Sequence, residues 1–131
     1  MKKAAWIIAL AAFLGALFMG SRTLVRANGE EAAKAPDIEM KIVSIQYKGT
    51  KFWIPSTIIA RKGQLVRLHL VSKIPPNADR HGFAIDEFGV KAVVTAKKDQ
   101  TVDFVADKEG LFRVYCHLHP AHVGGQLLVL Q

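Results

Sequence analysis

With 131 residues, 50% of them hydrophobic, the chain has the size of one small domain and enough apolar material to bury a core without disulfides. Its formal net charge of +7 invites a nucleic-acid or acidic-membrane reading, but Lys2, Lys3, Arg22 and Arg26 flank an N-terminal apolar stretch, and no acidic residue precedes Glu30. Beyond residue 27 the charge falls by those four to +3, interleaved with Asp and Glu and without a basic run or interleaved aromatics, so nucleic-acid binding is not supported.

Lys2 and Lys3 lead an apolar run from Ala4 to Met19. Its length is greater than most signal-peptide cores and shorter than a membrane span of about 18–20 residues. Val25 and Ala27 supply small residues for cleavage before Asn28, whereas Arg22 and Arg26 are unusual beside a cleavage site. Residues 1–27 therefore read either as a cleaved signal peptide or as an N-terminal membrane anchor. Both put the remainder in a periplasmic or other extracytoplasmic space, because the positive end stays inside. Residues 28–37 read as a solvated linker and 38–131 as the folded domain, with membrane contact only through an uncleaved N-terminus.

From Met40 onward the apolar residues recur with period two, in short runs broken by Gly, Pro, Asn and Asp. Val43, Ile45 and Tyr47 form the apolar side of the first run, alternating with Ser44 and Gln46. Val66, Leu68 and Leu70 alternate with Arg67 and His69; Val102 and Phe104 alternate with Thr101 and Asp103; Phe112, Val114 and Cys116 share one face, and Leu128 and Leu130 lie in a final strand. Turn residues separate these runs at Lys48-Gly49, Lys62-Gly63, Pro75-Pro76-Asn77 and Glu109-Gly110. The pattern predicts an all-β fold: about seven short strands in an antiparallel Greek-key sandwich, without a long helix after residue 40.

The chemistry concentrates in Tyr115-Cys-His-Leu-His-Pro-Ala-His122, where the single cysteine and three of the five histidines fall together. Cys116 continues the inward face of Phe112 and Val114, so His117 is expected to point outward as a bystander. Cys116, His119 and His122 are separated by two residues each, and a tight loop turns all three toward one point. A soft thiolate with imidazoles suits copper or zinc and not a hard ion such as Mg²⁺ or Ca²⁺. A further ligand must come from elsewhere. His81 is the candidate, because it opens the apolar segment Gly82-Phe83-Ala84-Ile85 directly after the turn at Pro75–Arg80. His69, mid-strand, is expected to be solvent-facing or hydrogen-bonded and is left out of the set.

An upstream histidine, a strand, and then Cys116-x-x-His119-Pro120 before a last strand resembles the cupredoxin family. The loop is similar to the short ligand loops of amicyanin-like members, with His122 where those carry methionine. Gly82-Phe83-x-Ile85-Asp86-x-Phe88-Gly89-Val90, Phe104-x-Ala106-Asp107-Lys108-x-Gly110 and Cys116-x-Leu118-His119-Pro120 resemble the nitrosocyanin (red copper) branch in the same order. That branch has a glutamate ligand where this chain has His81, and a longer loop before its last imidazole. A more distant resemblance is to the copper domain of cytochrome oxidase subunit II and nitrous oxide reductase. Their binuclear centre needs a second cysteine where Pro120 stands here and a downstream methionine, whereas Met1, Met19 and Met40 all precede the ligand loop.

The resemblance implies one copper ion per chain, held by His81, Cys116, His119 and His122, with zinc suited to the same donors. It implies electron transfer with a redox partner protein, no catalytic residues and a self-association left open. Small-molecule redox catalysis at an open copper site, a copper carrier and a structural zinc module are the rivals. Adjacent Asp86 and Glu87 would point to opposite faces of a strand and do not read as an acid–base pair. Gly124-Gly125 reads as a turn, with no mark of a phosphate cradle.

Overall fold

The structure, a computed structural model, describes residues 34–78 and 80–131. The signal or anchor reading and most of the linker lie outside the described residues. The described residues form one compact unit. Among the described residues no helix is long and apolar enough to cross a membrane.

Nine strands follow in chain order: β1 Ile38–Tyr47, β2 Thr50–Ile54, β3 Thr57–Arg61, β4 Leu65–Ser72, β5 His81–Ile85, β6 Val90–Val94, β7 Gln100–Val105, β8 Gly110–Val114 and β9 Gly125–Leu130. Single 3-10 turns at Pro76–Ala78 and Asp86–Phe88 are the only helical pieces among the described residues. β2, β1, β4 and β7 form one sheet in that order, and β3, β9 and β8 form a second. The β5–β6 pair joins the second sheet where Ala84 and Tyr115 exchange backbone hydrogen bonds of 2.9 and 3.1 Å. The β1–β2 hairpin turns on Lys48 and Gly49, both with positive φ, as a two-residue loop matched to strand twist requires.

Two sheets that each expose one apolar face to the other enclose Ile42, Ile58, Val66, Leu68, Leu70, Phe83, Ile85, Val94, Val114, Leu127 and Val129. The expected sandwich is present, and β5, buried along its whole length, and β6, buried at its two ends, fill out the strand count. Two corrections follow from how the layers close. β1 pairs in parallel with β4, and β3 in parallel with β9, so the sandwich is mixed where antiparallel pairing was expected. Within β1 the inward face is Ile38, Met40, Ile42 and Ser44, the opposite phase to the one expected, and Val43 and Ile45 are only half-buried. Glu39 and Lys41, alternating with Ile38, Met40 and Ile42, fix that phase, because charged groups must keep their water. In β9 the inward residues are Leu127 and Val129, with Leu130 exposed.

Candidate metal centre

The bridge between Ala84 and Tyr115 brings the start of β5 against the end of β8, at the same end of the sandwich as the loop leading into β9. His81 is fully buried there and Cys116 nearly so, and His122 is half-buried. One donor atom from each of His81, Cys116 and His122 lies within 4.8 Å of the other two. The loop that carries His122 is tight, since its backbone N–H donates to the carbonyl of His119 at 3.0 Å.

His81 is held from three sides. Its Nδ1 is 2.5 Å from the hydroxyl of Ser44, which leaves Nε2 buried with no partner. Its ring lies flat on Trp53, with centroids 4.7 Å apart and planes 8° apart. The Trp53 indole N–H donates to the carbonyl of Gly82 at 3.0 Å, fixing the residue that follows. Burial, reinforced by the nearby positive charge that His122, Lys51 and His119 can carry, pushes the His81 imidazole down to about 3. The ring is thus neutral at physiological pH, and with Nδ1 protonated toward Ser44 it offers Nε2 as a lone-pair donor.

The sulfur of Cys116 accepts the backbone N–H of Gly82 at 3.3 Å, so β5 positions both the histidine and the thiol. Nδ1 of His122 is also buried without a partner, and burial followed by the charge on His119 lowers that imidazole. An unpaired buried polar atom costs about 1–3 kcal/mol. Two such nitrogens beside a thiol are explained if a metal ion completes them, and the donor set fits one.

The remaining histidines are placed as follows. His119 is exposed and is not one of the three convergent donors, although its ring centroid is 5.0 Å from that of His122. His69 is hydrogen-bonded, with Nε2 2.6 Å from Glu39 and Nδ1 3.2 Å from Thr101, in keeping with its exclusion. His117 departs from its expected outward position. It is half-buried with Nδ1 unpartnered, and it packs on Gly82 so closely that a Cβ there would stand 2.9 Å from that nitrogen. A glycine at position 82 is what allows the two chain segments to meet. Ser44 and Trp53 escaped the reading of the sequence. The Glu39 and Lys41 alternation, carried forward two residues, would have turned Ser44 inward; Trp53 has no comparable local signal.

A conserved-domain description, cupredoxin-like domain, matches residues 8–129, and the chain belongs to that family. Its fold and its His–Cys–His cluster define a cupredoxin-like domain with a candidate metal site. The chain is 39% identical over 56 residues to the nitrous-oxide reductase of Cupriavidus necator, a match covering 43% of this chain and 9% of that protein. The chain therefore corresponds to a small part of that relative. Among solved structures it is similar to the periplasmic domain of subunit II of cytochrome oxidase of Bradyrhizobium japonicum, at 18% identity and a TM-score of 0.58, covering 75% of this chain and 87% of that one. It is also similar to the metal-binding domain of the Cu(I)-exporting P-type ATPase of Streptococcus pneumoniae with Cu(I), at 15% identity and a TM-score of 0.56, covering 75% and 92%. At these identities the likeness is one of fold.

Proposed function

We propose that the protein is an exported mononuclear copper protein that transfers single electrons. The observation that carries this reading is the convergence of His81, Cys116 and His122 donors within 4.8 Å, two of the imidazoles having a buried nitrogen without a partner. Thiolate and imidazole are the donors that copper selects, and the Cu(I)-bound domain of similar fold supports that choice over zinc. Copper held there would supply a one-electron couple. The protein's part is to keep the donors in place through both oxidation states: Ser44 and Trp53 fix His81, the Gly82 N–H fixes the sulfur, and the His119–His122 turn holds the last imidazole.

His119 is the proposed fourth ligand, reached by a small movement of its exposed ring toward that of His122. With the imidazole of His122 where the blue proteins carry a weakly held methionine, a bound copper would have a weakened thiolate bond and favour Cu(II), which would give the red or green colour of the nitrosocyanin-like branch. Titrating the metal-free protein with Cu(II) tests the reading. One equivalent should produce an intense thiolate-to-copper absorption that Cys116→Ser lacks. Uptake of Cu(II) without that band would overturn the ligation.

A copper carrier is the second reading, favoured by the exposure of His119 outside the convergent three. Reversible one-electron reduction without loss of metal supports electron transfer; release of the reduced metal to a competing chelator supports the carrier.

A further inference from the structure

The strand directions sort the charged residues of the folded unit by end. At the end that holds His81, Cys116 and His122 stand the β1–β2 hairpin with Lys48 and Lys51, Lys73 just after β4, Arg80 just before β5, and the β6–β7 turn with Lys97 and Lys98. Their placement follows from pairing and contacts. His81 lies opposite Val94, which puts the turn after β6 at this end, and the backbone N–H of Lys73 donates to Ser44, the residue bonded to His81. The Lys51 ammonium donates to the carbonyl of Arg80 at 2.6 Å. Against these six cations, among the described residues, stands Asp99.

The far end is different. There the ends of β3, β5 and β7 and the starts of β1, β4 and β8 carry Lys34, Arg61, Lys62 and Lys108, set among Asp37, Asp86, Glu87, Asp107 and Glu109. Several of these charges are already satisfied locally: Lys34 pairs with Asp37 at 3.3 Å, Asp37 accepts the Leu65 N–H, and the Lys108 ammonium is bound to the Glu87 carbonyl. The folded unit is thus electrically polarised, with its positive pole around the candidate metal centre and a balanced opposite end.

Within the positive rim the surface carries no Lys, Arg, Asp or Glu and is formed by exposed His119, Pro120, Ala121 and Val123. A partly apolar centre with a charged rim is the anatomy of a protein–protein interface. Rim charge governs which partners are steered in and which are repelled. We propose that this end is the docking face for a partner protein that presents a carboxylate-rich surface, the basic rim meeting those carboxylates and His119 and Val123 making the central contact. Its purpose rests on the electron-transfer reading; the binding itself does not need the metal.

The test is therefore made on metal-free full-length protein, so that failure to bind copper and failure to dock are seen separately. Poly-L-glutamate is titrated into isotope-labelled protein at low salt, and amide chemical shifts are followed. The expected shifts fall on Lys48, Lys51, Lys73, Arg80, Lys97, Lys98 and His119, and vanish in high salt. The triple charge reversal Lys48→Glu, Lys97→Glu and Lys98→Glu should weaken association at least about tenfold, while Lys34→Glu, Lys62→Glu and Lys108→Glu should leave it within about twofold. Equal loss from both triples, or shifts centred on the far end, would overturn the proposal. So would vesicles of phosphatidylglycerol binding through the same rim when poly-L-glutamate does not, since the face would then be a membrane contact.

Discussion

Trp53 lies flat on His81 and at the same time bonds the carbonyl of Gly82, whose own N–H reaches the sulfur of Cys116. One indole thus governs two donors, the first through its face and the second through its edge. Trp53→Phe keeps an aromatic face and removes the edge, leaving the Gly82 carbonyl buried without its donor, at a cost of about 1–3 kcal/mol. Denaturant unfolding should register that loss. The thiolate absorption of the copper-loaded variant should shift as the Gly82 N–H loosens, and Trp53→Leu, which also removes the stack, should lower metal affinity further. A Trp53→Phe protein with unchanged stability and spectrum would mean that the indole N–H fixes nothing.

Ser44 decides which nitrogen of His81 faces the donor cluster. In Ser44→Ala the Nδ1 proton loses its acceptor inside a fully buried site. Metal affinity is expected to fall about 10–100-fold, the range typical when a ligand histidine loses its orienting partner. Competition with a chelator of known affinity measures this, and a change of less than twofold would remove Ser44 from the site.

The two loop histidines are separable. His122 belongs to the convergent three and His119 stands outside them, exposed. His122→Ala should therefore cost far more metal affinity than His119→Ala, which should chiefly alter the absorption spectrum. His122→Met should move the colour toward blue and raise the reduction potential. The reverse order of affinities would make His119 the principal loop ligand.

Burial holds the folded-state His81 imidazole far below its ordinary value of 6.5, at about 3. Between those two values the unfolded chain binds a proton that the folded chain refuses, so the stabilisation is fully present above pH 6.5 and is lost as the pH falls toward 3. Metal-free protein should unfold at progressively lower denaturant concentration across that window, with smaller contributions of the same sign from His117 and His122. His81→Gln should flatten the dependence. A profile level from pH 7 to 4 in the wild type would contradict a buried neutral His81.

Gly82→Ala would place a methyl group 2.9 Å from Nδ1 of His117 and 3.1 Å from its backbone nitrogen. The backbone contact cannot be relieved by a rotamer change, so β5 and the Cys116 segment must separate, at about 1–3 kcal/mol. A lowered melting temperature together with a displaced thiolate band is the expected outcome. Gly49→Ala, in open space at a left-handed turn, should reduce stability without touching the spectrum.

The parts of the site that lie close in sequence were legible there. Cys116 and His122 announce themselves because a thiol and three imidazoles crowd seven positions, although His119 from the same cluster stands outside the convergent donors, and His81 follows from a turn leading into an apolar strand. What escaped was carried by strand phase and by contacts across the sandwich. Val43 and Ile45 are as apolar as Met40 and Ile42, so hydrophobicity alone could not orient β1. Only the charges at Glu39 and Lys41 do, and they turn the hydroxyl of Ser44 inward. Trp53 meets His81 across 28 residues of sequence, and nothing local marks that encounter. His117 alternates correctly away from Cys116, but the surface it turns toward is the bare backbone of Gly82, and so it is covered.

β3 finds its neighbour in β9, and Thr57 bonds to Gln126 across a separation of 69 residues. Contacts that close so long a loop form late and slowly, because the chain entropy must be lost before the pairing rewards it. A nascent chain that has emerged as far as Cys116 already contains its thiol and His81, yet has no β9 to anchor the loop that carries His122. The pocket comes into being only when the sheet closes, so a metal ion would be captured only after β9 has paired. An ion bound there adds its free energy to the closing step alone. Such an ion would serve the chain as a latch on that closure.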